Sequence, residues 1–162
     1  MAKVKVTAKF QVLDLVDRIV DGNFNARLGR LVSDEAKAMI AAGQSPVRGY
    51  GRFDGYSESY KGAIKGKSLE NKSKTVRPVN LNLSGKMLEN YGSKSDARSV
   101  WVGVLPGEHS ELAQYHNEGT AKMPQRKLVP TNGEGWAARI MRIIKEEYGK
   151  SLVDFIRKTN SK

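Results

Sequence analysis

The sequence predicts a small α+β protein with a mainly antiparallel sheet, long amphipathic helices packed on one face, and an extended loop or arm. Three stretches carry this prediction. Residues 3–12 alternate apolar and polar side chains with a period of two, which is typical of a half-buried strand. Residues 24–42 and 136–156 each repeat apolar residues at helical spacing. Amphipathic helices of this kind bury their apolar stripe by packing on a sheet, which favours a two-layer α+β architecture.

The composition fits one domain spanning residues 1–162 with a modest core. The chain has 162 residues, of which 39% are hydrophobic. It has no cysteine, which excludes disulfides, thiol catalysis and cysteine-ligated zinc. Only two histidines occur, so a histidine-rich metal site is disfavoured, and we expect no cofactor. No apolar run reaches the roughly 18–20 residues of a membrane span, and the N-terminus lacks a signal-peptide core, so we expect no membrane partner.

The formal net charge is +11, with 28 basic and 17 acidic residues. Such an excess favours an anionic partner, namely nucleic acid, an acidic protein ring or a membrane surface. The alternative interpretation is that the charge serves solubility alone.

The region after the first long helix, residues 43–78, lacks a lasting periodicity and is rich in glycine and basic residues. Gly43 suits a helix C-cap, and Pro46 follows it. Between Lys61 and Arg77 there are six basic residues and one acid. We interpret residues 43–78, called the arm below, as a long loop that docks on a neighbour.

The aromatic residues of the arm allow two interpretations: they pin it to its own core, or they anchor a partner surface. The predicted interface residues of the arm are Tyr50, Phe53, Tyr56, Tyr60, Lys61, Lys65, Lys67, Lys72, Lys74 and Arg77.

The remaining pattern predicts shorter elements in a defined order. They are a short helix within 13–20, a strand at 79–83, a turn at 92–96, a strand at 99–105, a helix at 110–117, a strand at 126–130, and a final helix capped at Asn132 or Thr131 and kinked or split at Gly149.

No grouping of residues in the sequence meets the requirements of an active site, and we expect no enzymatic activity. There is no G-x-S-x-G elbow, no H-E-x-x-H and no Walker A sequence. His116 is the strongest catalytic candidate, but a histidine between a helix end and a glycine turn more often bonds a backbone group and fixes the turn. Non-specific contact of the basic segment with nucleic acid phosphates stays open.

The block LAQYHNEGTAKMPQR at residues 112–126 resembles the signature of phage virion-morphogenesis and tail-completion proteins, of the Mu G type or the lambdoid minor-tail type. The signature has an aromatic residue usually followed by His or Glu, then two residues and Gly-Thr or Gly-Gly. A short polar gap leads to Met-Pro-x-Arg. Where the family continues with Pro-Phe-Leu, this chain has Lys127-Leu128-Val129. The segments around Gly43–Pro46 and 79–88 are similar to the family in order and spacing.

The resemblance implies a structural protein of the virion neck, made in the host cytoplasm. Members form closed rings, often six-fold, between the portal or adaptor and the tail. The implied partners are further copies of the chain, the portal or adaptor, tail proteins and, without sequence specificity, packaged DNA. The resemblance implies no enzymatic activity.

The physics of residues 112–130, called the loop motif below, suits a rigid docking element or simply a folded loop. Gly119 can adopt a positive φ and reverse the chain, and Pro124 stiffens the return. We expect Tyr115 and Met123 to pack under the loop and Arg126 to pair with an acid of the same or the next subunit. The interface residues predicted here are Tyr115, His116, Gly119, Met123, Pro124 and Arg126.

Overall fold

Three antiparallel strands and five helices make up the part of the chain that the structure describes. The structure is a computed structural model, and it describes residues 6–11, 22–65, 74–81, 86–131 and 133–160. Their order along the chain is β1 (Val6–Gln11), α1 (Gly22–Ala41), α2 (Glu58–Lys65), α3 (Lys86–Glu89), β2 (Tyr91–Ser95), β3 (Ser99–Val104), α4 (Ser110–Glu118) and α5 (Ala138–Asn160). The predicted α+β class is confirmed.

Strand β3 is the centre of the sheet, whose order is β1-β3-β2. Val6 of β1 pairs with Val104, and Gln11 pairs with Ser99. On the other edge Tyr91 pairs with the same Val104, and Ser95 pairs with Val100. The alternation that predicted β1 and the β-branched run that predicted β3 therefore describe two neighbouring strands.

Helix α1 covers β2 and β3 with its apolar stripe. Its close approach depends on Gly29, where a Cβ atom would lie 2.8 Å from the Oγ atom of Ser93 and 3.0 Å from a methyl group of Val100. The helix ends at Ala41, and the predicted cap residue Gly43 follows it with a φ of +74°. The backbone N–H groups of Gly43 and Gln44 bond back to the last turn, to the carbonyls of Ile40 and Met39. The completely buried residues of α1 and β3 include Leu28, Val32, Ala36, Val100, Val102 and Val104.

Helix α5 runs antiparallel along α1. Arg27 near the start of α1 bonds Glu147 at 3.0 Å, whereas Glu35 further along pairs with Arg139 near the start of α5. We expected a kink or a split at Gly149; the helix continues through this residue, so the split is wrong, and the kink stays a prediction. The side chain of Ile140 is buried and Tyr148 packs partly against the core, so the first half of α5 completes the core.

The glycine- and serine-rich stretch 92–96 forms most of strand β2 rather than the turn that we predicted. The turn follows at Asp96–Arg98, where the Asp96 carboxylate accepts a bond of 2.8 Å from the backbone N–H of Arg98. Small residues favour turns, but here they permit pairing with β3 and the close approach of α1. Local propensity was therefore overridden by tertiary contacts.

Residues 79–81 do not form the strand that we predicted at 79–83. Val79 and Leu81 are buried, yet Leu81 has a φ of +51°, which a strand cannot accommodate. Val79 and Leu81 are apolar because they are buried, and not because they alternate along a strand. Residues 82–83 and the predicted short helix at 13–20 lie outside the described residues.

The arm contains a helix, α2, where we expected only loop. Ser57 caps it, since its carbonyl accepts from the Lys61 N–H at 2.9 Å and its Oγ atom lies 3.4 Å from the Tyr60 N. Glu58 in the first turn and Lys65 in the last turn suit the helix dipole. This Ser57 cap was the missed sequence signal.

Three of the four aromatic residues of the arm pin it to its own core, which was one of the two interpretations, whereas Tyr50 is exposed. Tyr56 is buried in the core cluster, and Phe53 and Tyr60 pack against it partly buried. Tyr56 and Tyr60 form an edge-on ring pair with centroids 5.1 Å apart.

Candidate functional site

The loop motif reverses the chain directly after α4. Gly119 has a φ of +78°, and its N–H donates to the Tyr115 carbonyl at 2.8 Å. Thr120 and Met123 exchange two backbone hydrogen bonds, and the Arg126 N–H donates to the His116 carbonyl at 2.7 Å. The predicted reversal at Gly119 is therefore confirmed, and it returns the chain alongside the end of α4.

Asn117 holds the returning chain in place. Its side chain is 2% exposed, and its Oδ1 atom accepts from the N–H groups of Leu128 and Val129 at 2.8 and 3.0 Å. One buried side-chain oxygen thus satisfies two buried backbone donors, which would otherwise be costly. Sequence reasoning missed Asn117, which shows no distinguishing pattern in the chain.

Segment 126–130 is a buried irregular segment, and the short strand that we predicted there is wrong. Its backbone carbonyls are also taken by side chains: the Tyr91 hydroxyl donates to the Leu128 carbonyl and the Ser45 hydroxyl to the Lys127 carbonyl, both at 2.8 Å. The apolar residues of this segment indicate that it is buried. Its backbone groups bond the side chains of Asn117, Tyr91 and Ser45 instead of a neighbouring strand.

Arg126 joins the loop motif to the arm. It is 3% exposed, and its guanidinium donates to the carbonyls of Asp54 and Gly55 at 3.2 and 3.4 Å. The guanidinium carbon lies 5.2 Å from the ring centroid of Tyr56. Among the described residues Arg126 forms no ion pair, and its Nε atom has no hydrogen-bond partner. The expected acidic partner within the chain is thus replaced by backbone carbonyls.

Lys74 brings a second cation to the same rings. Its Nζ atom lies 4.8 Å from the centroid of Tyr56 and 5.5 Å from that of Tyr60. Burial, and then the charge of Arg126, lower the pKa of Lys74 to about 8. Five predicted interface residues therefore meet in one place, which we call the cation–aromatic cluster: Tyr56, Tyr60, Lys74, His116 and Arg126.

His116 is held neutral at pH 7 inside this cluster. Burial, followed by the charges of Arg126 and Lys74, lowers the pKa of His116 to about 4. Its Nδ1 atom has no hydrogen-bond partner in the described part of the chain. We expected the His116 side chain to fix the turn, but its backbone carbonyl and the side chain of Asn117 provide the bonds described above.

Tyr115 and Tyr50 lie apart from the cluster. Tyr115 is exposed on α4 and donates to the Glu111 carboxylate, so the prediction that it packs under the loop is wrong. Tyr50 donates to Glu134 at 2.7 Å, and Lys127 lies over its ring. Of the other predicted residues, Met123 is half-buried and Pro124 exposed in the loop, and Lys67 and Lys72 lie outside the described residues.

Glu134 should make the protein less stable in acid. Although burial opposes ionisation, hydrogen bonds from Thr131, Tyr50 and Lys127 lower the pKa of Glu134 to about 2. A carboxyl with a lowered folded-state pKa stabilises the fold above its ordinary pKa of 4.5, and this contribution is lost as pH falls toward 2. We expect Glu134→Gln to lower the free energy of unfolding at neutral pH, and this difference from wild type to shrink as the pH falls toward 2.

Urea denaturation at neutral pH and at about pH 3 would measure this difference. The exposed carboxylate Glu118 gives the matched control Glu118→Gln. An unchanged stability of Glu134→Gln at neutral pH would contradict the assignment.

A basic groove runs beside the cluster, between α2 and residues 74–79. It consists of two adjoining cavities of about 670 and 700 Å³ that share Lys61, Val76 and Arg77. The cations along the groove are Arg52, Lys61, Lys65, Lys74 and Arg77. The structure thus gathers most of the predicted basic residues of the arm on one surface.

No family model matches this chain, and no curated protein or solved structure shows significant similarity to it. The described residues contain no group of three or more side chains able to hold a metal ion. Among the same residues, no helix is both long enough and apolar enough to cross a membrane.

Proposed function

We propose that this chain is a structural protein of a tailed-phage virion, a neck or tail-completion protein whose copies form a closed ring joining the head to the tail. The resemblance of the loop motif to that class of proteins motivates the proposal. The ring would contact the portal or adaptor on one side and tail proteins on the other, and its residence would be the virion neck.

The observation that carries this proposal is the joining of the loop motif and the arm through Arg126. The two segments are about 70 positions apart in the chain, yet Arg126 bonds Asp54 and Gly55 and lies over Tyr56. A reversal locked by buried hydrogen bonds and an arm fixed to it form one surface of defined shape. A subunit that must dock in a single orientation needs such a pre-organised surface.

The C-terminal half of α5 offers a second surface, which we assign to a neighbouring copy. Leu152, Val153, Phe155 and Ile156 are between 36 and 47% exposed. Grouped exposed apolar side chains are typical of interaction sites, and a ring subunit has two different faces to cover.

Replacing two of these residues tests the ring directly. We expect the purified chain to form closed oligomers by native mass spectrometry, and Leu152→Asp combined with Ile156→Asp to yield monomers, because buried charge opposes association. The control Lys145→Asp changes an exposed position of the same helix. A wild-type chain that stays monomeric and is absent from purified virions would overturn the proposal.

The basic groove favours a second candidate function, non-specific binding of nucleic acid. Several cations on one surface could neutralise phosphates and release counterions. This function requires duplex affinity in the purified monomer, with a steep decrease as salt rises. The neck function requires the chain in purified particles and only weak duplex binding, so a gel-shift salt series and mass spectrometry of virions distinguish the two.

A further inference from the structure

The basic groove has a charge balance that calls for an anionic ligand. Five cations line it, and among the described lining residues the one carboxylate is Glu58, which is already paired with Lys61. Arg52 and Arg77 are exposed at the larger opening. Without a ligand these like charges repel one another, and an anion between them would relieve that repulsion.

The groove also has an apolar wall, which narrows the class of ligand. Ala42, Phe53, Val76, Pro78 and Val79 line the first cavity together with Arg52, Lys61 and Arg77, and Ile64 lines the second. Apolar side chains would be covered by apolar side chains of a ligand, since removing both from water is favourable.

A single nucleic acid strand fits this lining less well than a peptide does. Single-strand binding surfaces stack bases on exposed aromatic rings beside their cations. Here the rings of Tyr56 and Tyr60 pack against the core and against Lys74 and Arg126, so they are occupied. Of the aromatic residues of the arm only Phe53 lines the groove, and the other apolar lining residues are aliphatic.

We propose that the basic groove binds an extended peptide segment of a partner protein in which acidic and apolar side chains alternate. The carboxylates pair with Arg52, Arg77 and the lysines of α2, and the apolar side chains cover Phe53, Val76 and Pro78. That the partner is a protein of the virion neck rests on the proposed function, whereas peptide binding can be measured on the purified chain alone. The two can therefore fail separately.

Fluorescence polarisation with labelled peptides tests the proposal. The probe is a peptide of five Glu-Leu repeats, compared with five Glu-Ser repeats of equal charge and a single-stranded oligodeoxynucleotide of equal length. We expect the Glu-Leu peptide to bind at least about tenfold more tightly than either comparison ligand, because only it matches both the charge and the apolar wall.

The double variant Arg52→Glu and Arg77→Glu should weaken peptide binding by about tenfold or more, whereas Lys145→Glu on α5 should leave it unchanged. Both arginines are exposed, and circular dichroism checks the fold; Arg52→Gln with Arg77→Gln replaces the double reversal if that variant does not fold. The proposal is overturned if the folded wild type does not bind the Glu-Leu peptide, if Glu-Ser binds equally well, or if the oligodeoxynucleotide binds as tightly.

Discussion

Asn117→Ala is expected to lower the free energy of unfolding by about 2–6 kcal/mol, since it leaves two buried backbone donors without an acceptor at about 1–3 kcal/mol each. The donors are the N–H groups of Leu128 and Val129, and the side-chain oxygen that serves both is buried with them. Because the same segment continues from Arg126, the loss should also loosen the contact between the loop motif and the arm. Chemical denaturation of the purified chain measures the first effect.

Two variants make this prediction specific. Asn117→Asp retains an oxygen acceptor at the same position and should lose less than Asn117→Ala. Asn90→Ala removes the same side chain from an exposed position, and we expect a change within about 0.5 kcal/mol. A stability loss below about 1 kcal/mol for Asn117→Ala would show that water replaces the side-chain oxygen.

Gly119→Ala is expected to lower the free energy of unfolding by about 1–3 kcal/mol, the usual cost of a residue held in a sparsely populated backbone region. Gly119 has φ +78° and ψ 166°, which is reached almost only by glycine. In addition, a Cβ atom there would lie 3.0 Å from the backbone nitrogen of Gln125 and 3.2 Å from its Cα atom. The neighbour is backbone of the returning chain, so the loop itself would have to shift.

Gly133→Ala is the matched control for Gly119→Ala. Gly133 has the same φ of +78°, but nothing lies within 4 Å of a Cβ atom built on it. Both variants carry the cost of a positive φ, so a larger loss in Gly119→Ala reports the contact with Gln125 together with the cost of the ψ of 166° at Gly119. Equal stability of the two variants would mean that the loop motif accommodates the extra carbon, and that its shape is less fixed than we infer.

The sequence by itself was sufficient for the elements whose pattern is local. The alternation of β1, the apolar stripe of α1 with Gly43 as its C-cap, and the β-branched run of β3 each contain the information that fixes their structure. Gly119 belongs to this group, because only a residue without a side chain adopts its conformation readily. The positive net charge and the loop motif are likewise visible in the sequence, and they predicted a protein that docks on partners.

Tertiary structure alone decided where partners come from distant parts of the chain. Residues 126–129 look like a strand because they are apolar, but their backbone groups bond side chains of Asn117, Tyr91 and Ser45. Residues 92–95 look like a turn because they are small, but that smallness lets α1 lie close to β2.

The candidate site shows the same division. The basic and aromatic residues were predicted individually, from composition and spacing. Their assembly into the cation–aromatic cluster and the basic groove depends on Arg126 reaching Asp54 and Gly55 across the fold. No periodicity encodes such a contact, because it is set by the packing of the returning loop against the arm.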